Sequence, residues 1–190
     1  MSGLNLYLEI FAVLTGLLHV FLLTKEKIIA WPLGLLSVTT YTWIFFDNNL
    51  YSDVILHLAY IGLNIYSWWK WSFKKAISNH LPITYLNSSL RIGLPIFIIV
   101  GSLGLGWFMQ QNTKADFPFG DAFTTVTSLT AQILLAFKKR ENWLLWIIVD
   151  IVAIGIYTVK GLYPTSGLYF LYLLISIQGW KSWKTKENQL

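Results

Sequence analysis

Cysteine is absent from this 190-residue chain, so neither a disulfide framework nor a thiolate-ligated metal site can be built. Charge is scarce: Asp, Glu, Lys and Arg make up 12% of the residues, against roughly 25% in an ordinary soluble domain. Enzymatic signatures are missing as well. There is no His-Glu-x-x-His, no Gly-x-Ser-x-Gly, no P-loop and no dinucleotide glycine pattern, and no acids are placed with histidines for metal binding. These absences speak against an enzyme, a bound cofactor and intrinsic ATP hydrolysis. A cleavable signal peptide is not expected either, because the first apolar run contains Glu9 and lacks a basic leader.

What the chain has is apolar and aromatic. Hydrophobic residues are 55% of the total, and ten Trp, ten Tyr and twelve Phe suit a lipid interface, a stacking site or both. A helix that spans a bilayer needs about 20 mostly apolar residues. Seven stretches meet that length: 6–23, 28–46, 51–69, 93–110, 118–137, 142–160 and 163–183. The one sizeable polar gap is 70–92, with Lys70, Lys74, Lys75, Asn79, His80, Pro82 and Arg91; His80 has no specific role there. The other connections are short, as at Asp47-Asn48-Asn49 and Gly161 to Pro164.

Lys and Arg settle orientation when counted loop by loop. Lys25 and Lys27, the four basic residues of 70–92, Lys138-Lys139-Arg140, and Lys181, Lys184 and Lys186 lie on one side, twelve in all; only Lys114 and Lys160 lie on the other. The expectation is an N-terminus outside and a C-terminus in the cytoplasm. The net charge of +5 is then a topology signal, and no nucleic-acid partner is needed to explain it.

Shifting the chain by 112 residues exposes an internal repeat. Glu9 meets Asp121, Lys27 meets Lys139, Trp31 meets Trp143, Leu50-Tyr51 meets Leu162-Tyr163, Tyr60 meets Tyr172, Trp68 meets Trp180 and Trp71 meets Trp183, with 16 of the 63 positions from 9 to 71 identical. Leucine coincidences are cheap in such a composition; three tryptophan coincidences in one register are not. The expected architecture is all-α and integral to the membrane. Two parallel three-helix bundles, 6–71 and 118–183, are separated by a cytoplasmic loop and connecting helix over 72–117 and followed by a tail at 184–190. Parallel repeats about an axis along the membrane normal are a transporter plan, which places the substrate between the bundles.

Polar residues inside spans face the bundle interior because lipid exposure is costly. On helix 3, Asp53, His57, Tyr60, Asn64, Trp68 and Trp71 recur at spacings of three and four, which is one helical face. Asp121, Thr125, Ser128 and Gln132 share a face of helix 5; Trp143, Trp146, Asp150 and Tyr157 line helix 6; Tyr169, Tyr172, Ser176 and Trp180 form a looser stripe on helix 7. Ser37 lies in helix 2, and Glu9, Gly16 and His19 in helix 1. Asp150 is the sharpest of these, since a carboxylate at the bilayer centre costs roughly 2.5–3.5 kcal/mol on insertion scales. It requires a proton, a hydrogen-bond donor or a cationic substrate, and a structural bond to a neighbouring helix satisfies the same need. Glu9 and Asp121 sit near span ends, where water or helix-end amides suffice. His57 reads equally as a packed core donor or a substrate contact. Trp31, Trp71, Trp143, Trp180 and Trp183 read as interfacial anchors, Trp43 and Trp107 as deeper, and Trp68 and Trp146 as stacking platforms.

The run Leu50 to Trp71, Leu-Tyr-Ser-Asp-Val-Ile-Leu-His-Leu-Ala-Tyr-Ile-Gly-Leu-Asn-Ile-Tyr-Ser-Trp-Trp-Lys-Trp, resembles the pattern of the PnuC family. So does the second half, from Lys139-Arg140-Glu141-Asn142-Trp143-Leu144-Leu145-Trp146 through Asp150 to Lys160-Gly161-Leu162-Tyr163. His57 stands where that family usually has Gln, and Ser67 where it usually has Gly. The resemblance implies the 3+1+3, SWEET-like layout in the bacterial inner membrane. It also implies facilitated diffusion of an unphosphorylated vitamin that a cytoplasmic kinase then traps. The convergence of these faces places the substrate near the bilayer midplane between helices 3, 6 and 7, with help from helices 2 and 5, contacted by His57, Tyr60, Asn64, Trp68, Gln132, Trp146, Asp150, Tyr157, Tyr172 and Ser37. Nicotinamide-riboside members tend to carry Asn where this chain has Ser37 and Asp150, and the stretch from Asp150 to Tyr169 is similar to the thiamine branch, PnuT. Thiamine is therefore favoured over nicotinamide riboside; both are flat cationic heterocycles. The expected partners are that vitamin and membrane lipid, with a homo-oligomer compatible. The competing readings are a sugar facilitator of SWEET type, in which neutralising Asp150 is mild, and a non-transporting subunit of a larger importer.

Overall fold

In a computed structural model the protein is helical throughout. The structure describes residues 3–47, 51–78, 82–113 and 115–187. Asn48, Asn49 and Leu50, the loop residues Asn79 and His80, and Lys114 lie outside them. Among the described residues there are seven helices: α1 Gly3–Thr24, α2 Ala30–Asp47, α3 Tyr51–Ser78, α4 Ser88–Asn112, α5 Pro118–Ala136, α6 Asn142–Val159 and α7 Tyr163–Glu187. Three stretches, Leu6–Thr24, Ser88–Asn112 and Asn142–Val159, are long and apolar enough to cross a membrane by length and composition. The other four helices are diluted by hydroxyls, amides and end lysines, such as Thr39, Thr40 and Thr42 in α2 and the Thr-rich face of α5.

The polar gap expected over 70–92 is shorter than its composition suggests, because α3 continues to Ser78. No Gly or Pro interrupts Trp68 to Ser78, and a lysine at a helix end keeps its ammonium in water while its stem lies along apolar surface. α4 starts where Asn87 caps it, its side-chain oxygen accepting from the Leu90 N–H at 2.9 Å. α5 starts at Pro118, whose missing N–H costs nothing in the first turn.

The chain divides into two compact units, Met1–Pro82 and Ile83–Leu190. In the first, α2 packs on α1 and α3; in the second, α5 packs on α4 and α6, and α6 on α7. α1 ends in a glycine-free Schellman motif. The Glu26 N–H donates to Leu23 O and the Lys27 N–H reaches back to Leu22 O, at 3.0 and 3.1 Å, with Glu26 itself left-handed at φ 55°. α5 ends the same way 112 positions on: Lys138 donates to Leu135 O and Lys139 to Leu134 O, both at 2.9 Å, with Lys138 at φ 49°.

Each unit is locked by a perpendicular pair of tryptophans. Trp31 and Trp71 meet at 5.1 Å and 86°, and Trp143 and Trp183 at 5.5 Å and 88°. All four rings are at most 2% exposed, so these residues are core and not interfacial anchors. Trp43 and Trp107, expected deeper, are instead 60% and 62% exposed. The sequence position near a span end is shared by anchors and by core rings; only the packing separates them. In the second unit Thr84 also bridges to the α5–α6 turn, donating to Lys138 O and accepting from the Arg140 N–H, while Glu141 accepts from the Leu86 N–H at 3.0 Å.

Candidate functional site

Within the first unit the helix 3 stripe divides by depth. His57 Nδ1 donates to Asp53 O at 2.9 Å; a carbonyl can only accept, so the proton sits on Nδ1 and Nε2 is the open nitrogen. Its ring lies 4.8 Å from Phe45, 5.9 Å from Tyr60 and 6.1 Å from Tyr41, an aromatic nest built from α2 and α3. Two turns further on, Asn64 is buried and gives Nδ2 to Tyr60 O at 2.8 Å, with Oδ1 left without a hydrogen-bond partner among the described residues. Gly34 is what lets that side chain in: a Cβ there would stand 2.9 Å from Asn64 Oδ1 and 2.6 Å from the His19 ring. His19 Nδ1 in turn donates to Ala30 O at 2.7 Å. Ser37 is spent on α1, donating to Ala12 O at 2.8 Å. Trp68 is 39% exposed.

The second unit holds the acid. Asp150 on α6 is 2% exposed, and its Oδ2 accepts from the Ser176 hydroxyl of α7 at 3.1 Å. Tyr157 stacks on Tyr169 at 5.3 Å and 21°, and Tyr169 meets Tyr172 edge-on at 6.2 Å. Gln132 on α5 is buried with its Nε2 unpartnered among the described residues, and Trp146 is half-buried. Gly179 admits Trp143, whose ring atoms lie 2.5–2.6 Å from where a Cβ would be. Asp121 is satisfied by Lys160 at 3.8 Å rather than by helix-end amides alone.

The structure therefore gathers His57 with Tyr60, Asp150 with Ser176, and Tyr157 with Tyr172 through Tyr169, while Ser37 and Asn64 serve the packing of α1, α2 and α3. The shift of 112 places Phe45, His57 and Tyr60 on Tyr157, Tyr169 and Tyr172, so the aromatic triad of each unit occupies matching positions. Phe45 and Tyr41 escaped the sequence reading because they are apolar or ordinary on an apolar helix; the shift that matched the tryptophans was the signal that finds Phe45. Arg140 lies over Trp180, its guanidinium carbon 4.1 Å from the ring centre, a contact that its place in a basic loop does not suggest.

An acid and several amides and hydroxyls buried among apolar helices fit a polytopic membrane protein, in which such groups face the bundle interior. Residues 6–185 match the family described as Nicotinamide mononucleotide transporter, and the chain belongs to that family, the PnuC-type membrane transporters of vitamins in the bacterial inner membrane. It is a transporter and not an enzyme. It is 31% identical to the nicotinamide riboside transporter PnuC of Escherichia coli, over 93% of this chain and 84% of that protein. It is 21% identical to the riboflavin/roseoflavin transporter RibM of Streptomyces davaonensis, over 92% and 83%. The crystal structure of the vitamin B3 transporter PnuC superposes with a TM-score of 0.77 at 24% identity, covering 96% of this chain and 83% of that one, so the fold is shared.

Proposed function

We propose that this transporter carries an unphosphorylated, cationic vitamin with a flat heterocyclic ring into the cell by facilitated diffusion, and that phosphorylation in the cytoplasm traps it. The observation that carries the reading is Asp150: an acid 2% exposed, with one hydroxyl as its described partner, in a unit whose aromatic rings lie one to two turns away on α6 and α7. A carboxylate accepts about four hydrogen bonds, and a substrate cation supplies what Ser176 does not. His57, Tyr60 and Trp68 in the first unit, and Gln132, Trp146, Tyr157 and Tyr172 in the second, complete the proposed contacts, with Asn64 and Ser37 supporting them.

Nicotinamide riboside is the first candidate, because that is the substrate in the name of the E. coli relative. The order expected from the sequence, thiamine first, is thus reversed. Thiamine stays as the second reading, on the similarity of the stretch from Asp150 to Tyr169 to the thiamine branch. Seven spans with the N-terminus outside and the C-terminus inside, in the 3+1+3 plan, are supported by the twelve-to-two division of basic residues and by the matching turns, tryptophan pairs and aromatic triads of the two units.

The test is purified protein titrated with nicotinamide riboside, thiamine and riboflavin, read by thermal shift and affinity, alongside Asp150→Asn. The expected result is binding of one of the two cationic vitamins, and a loss of at least about tenfold in Asp150→Asn, the scale of a charged hydrogen bond. Unchanged affinity in a destabilised Asp150→Asn removes Asp150 from the site and leaves it a structural acid.

A further inference from the structure

One side of α7 is taken up by its own unit: Ser176 meets Asp150 and Trp183 meets Trp143, both on α6. Half a turn round the helix, Leu174, Ile177, Gln178, Lys181 and Ser182 line an open groove of about 460 Å³. Phe170, Leu171 and Leu174 are 52%, 45% and 49% exposed, and they carry the same side of the helix on as an apolar track. Polarity changes in one direction along it. Residues 170, 171, 174 and 177 are apolar, an amide follows at 178, and an ammonium and a hydroxyl at 181 and 182. The rise from Phe170 to Lys181 is about 16 Å, close to the roughly 15 Å of hydrocarbon in one leaflet. Lys181 belongs to the side on which twelve of the fourteen Lys and Arg were counted, the side that faces anionic headgroups most favourably.

The first unit treats the matching surface differently. The shift of 112 sets Ile65, Tyr66, Trp69 and Lys70 on Ile177, Gln178, Lys181 and Ser182. Rings occupy the surface there: Trp69 stacks on Phe73 at 5.5 Å and lies 6.1 Å from Tyr66. The cation is drawn onto them, with Lys70 Nζ donating to the Tyr66 hydroxyl at 3.2 Å and lying 5.3 Å from that ring's centre. An aromatic belt of this kind suits any bilayer interface. In the second unit no ring stands at 177, 178, 181 or 182, and a groove with a cation at its polar end takes the place of the belt.

We infer that the α7 groove binds an anionic phospholipid, one acyl chain lying along Phe170, Leu171, Leu174 and Ile177 and the phosphate meeting Lys181 beside Gln178 and Ser182. Charge complementarity selects an anionic over a zwitterionic headgroup, and the apolar track selects a lipid over free phosphate. This site lies apart from the proposed vitamin contacts and does not depend on which vitamin is carried.

The experiment titrates purified protein in neutral detergent with phosphatidylglycerol, with phosphatidylcholine of the same chains and with glycerol phosphate. Binding is read by native mass spectrometry beside the thermal midpoint. The variants are Lys181→Gln, Ile177→Trp to fill the groove as rings do in the first unit, and Lys25→Gln as a charge-matched control on the same basic side. Phosphatidylglycerol should bind at least about threefold more tightly than phosphatidylcholine. Lys181→Gln should lower that ratio at least about twofold and Lys25→Gln leave it unchanged, while Ile177→Trp weakens both lipids and glycerol phosphate gives no response. Equal affinities for the two lipids in wild type, or equal losses in Lys181→Gln and Lys25→Gln, overturn the inference, because the lysines then act as a diffuse surface charge. A response to glycerol phosphate alone overturns it too, in favour of a free-phosphate site. If Lys181→Gln fails to fold, Ile177→Trp decides: unchanged lipid binding there overturns the site. Uptake enters none of these readouts, so failure here and failure of the functional reading are separate results.

Discussion

Gly179 shows how much of this chain's packing depends on a missing methyl group, and Gly155 is the contrast. Trp143 presses to 2.5–2.6 Å from where a Cβ of Gly179 would lie, with the flat face of the indole against backbone and Trp183 behind it. A buried indole wedged between two elements cannot swing aside as a flexible chain end can. Gly179→Ala should therefore cost about 1–3 kcal/mol, the range for overpacking a filled core, read as a lowered thermal midpoint. Gly155→Ala, where a Cβ meets nothing within 4 Å, should leave the midpoint unchanged or raise it slightly, since alanine is the better helix former. Asp150 belongs at this scale as well: among the described residues one hydroxyl engages its carboxylate, and the loss of affinity in Asp150→Asn is expected to exceed its loss of stability.

Between helices the informative feature is the glycine-free turn. Glu26 and Lys138 both adopt left-handed φ, a conformation that costs a residue with a Cβ roughly 1 kcal/mol and a β-branched one more. Selecting acid in one copy and base in the other shows that the backbone shape, not the side chain, is what the two units share. Lys138→Val should lower the thermal midpoint more than Lys138→Asn does, because both remove the charge and the long stem but only Asn tolerates the left-handed region. Equal midpoints would mean that the strain is absorbed elsewhere in the turn. The sequence pattern found the helices themselves to within a few residues, because apolar length is a local property; it missed the extension of α3 to Ser78 because a run holding Lys70, Lys74 and Lys75 reads as loop.

For the molecule as a whole, the match of the two tryptophan pairs at a shift of 112 was legible because tryptophan is rare by chance. Its chemical asymmetries, Asp150 against Val38 and Arg140 against Ile28, were legible only as unmatched positions. Which polar groups already have partners was not legible in the sequence: among candidates of similar spacing, Ser37 bonds Ala12 O, while Asn64 packs on Gly34 with its Oδ1 unpartnered among the described residues. Hydrogen-bond partners on other helices decide such questions, and no periodicity encodes them. The energetics follow from what the spans contain. The proposed uncoupled diffusion is supported by Asp150's described partner being a hydroxyl rather than a second titrating group and by the lack of a nucleotide motif in the sequence. The most direct test is uptake by proteoliposomes containing the purified protein, with nicotinamide riboside or thiamine supplied outside and an imposed proton or sodium gradient. One cationic vitamin should enter until its concentrations inside and outside are equal, at a rate and extent indifferent to either gradient. Accumulation above the external concentration, or entry of neither vitamin, would contradict the account.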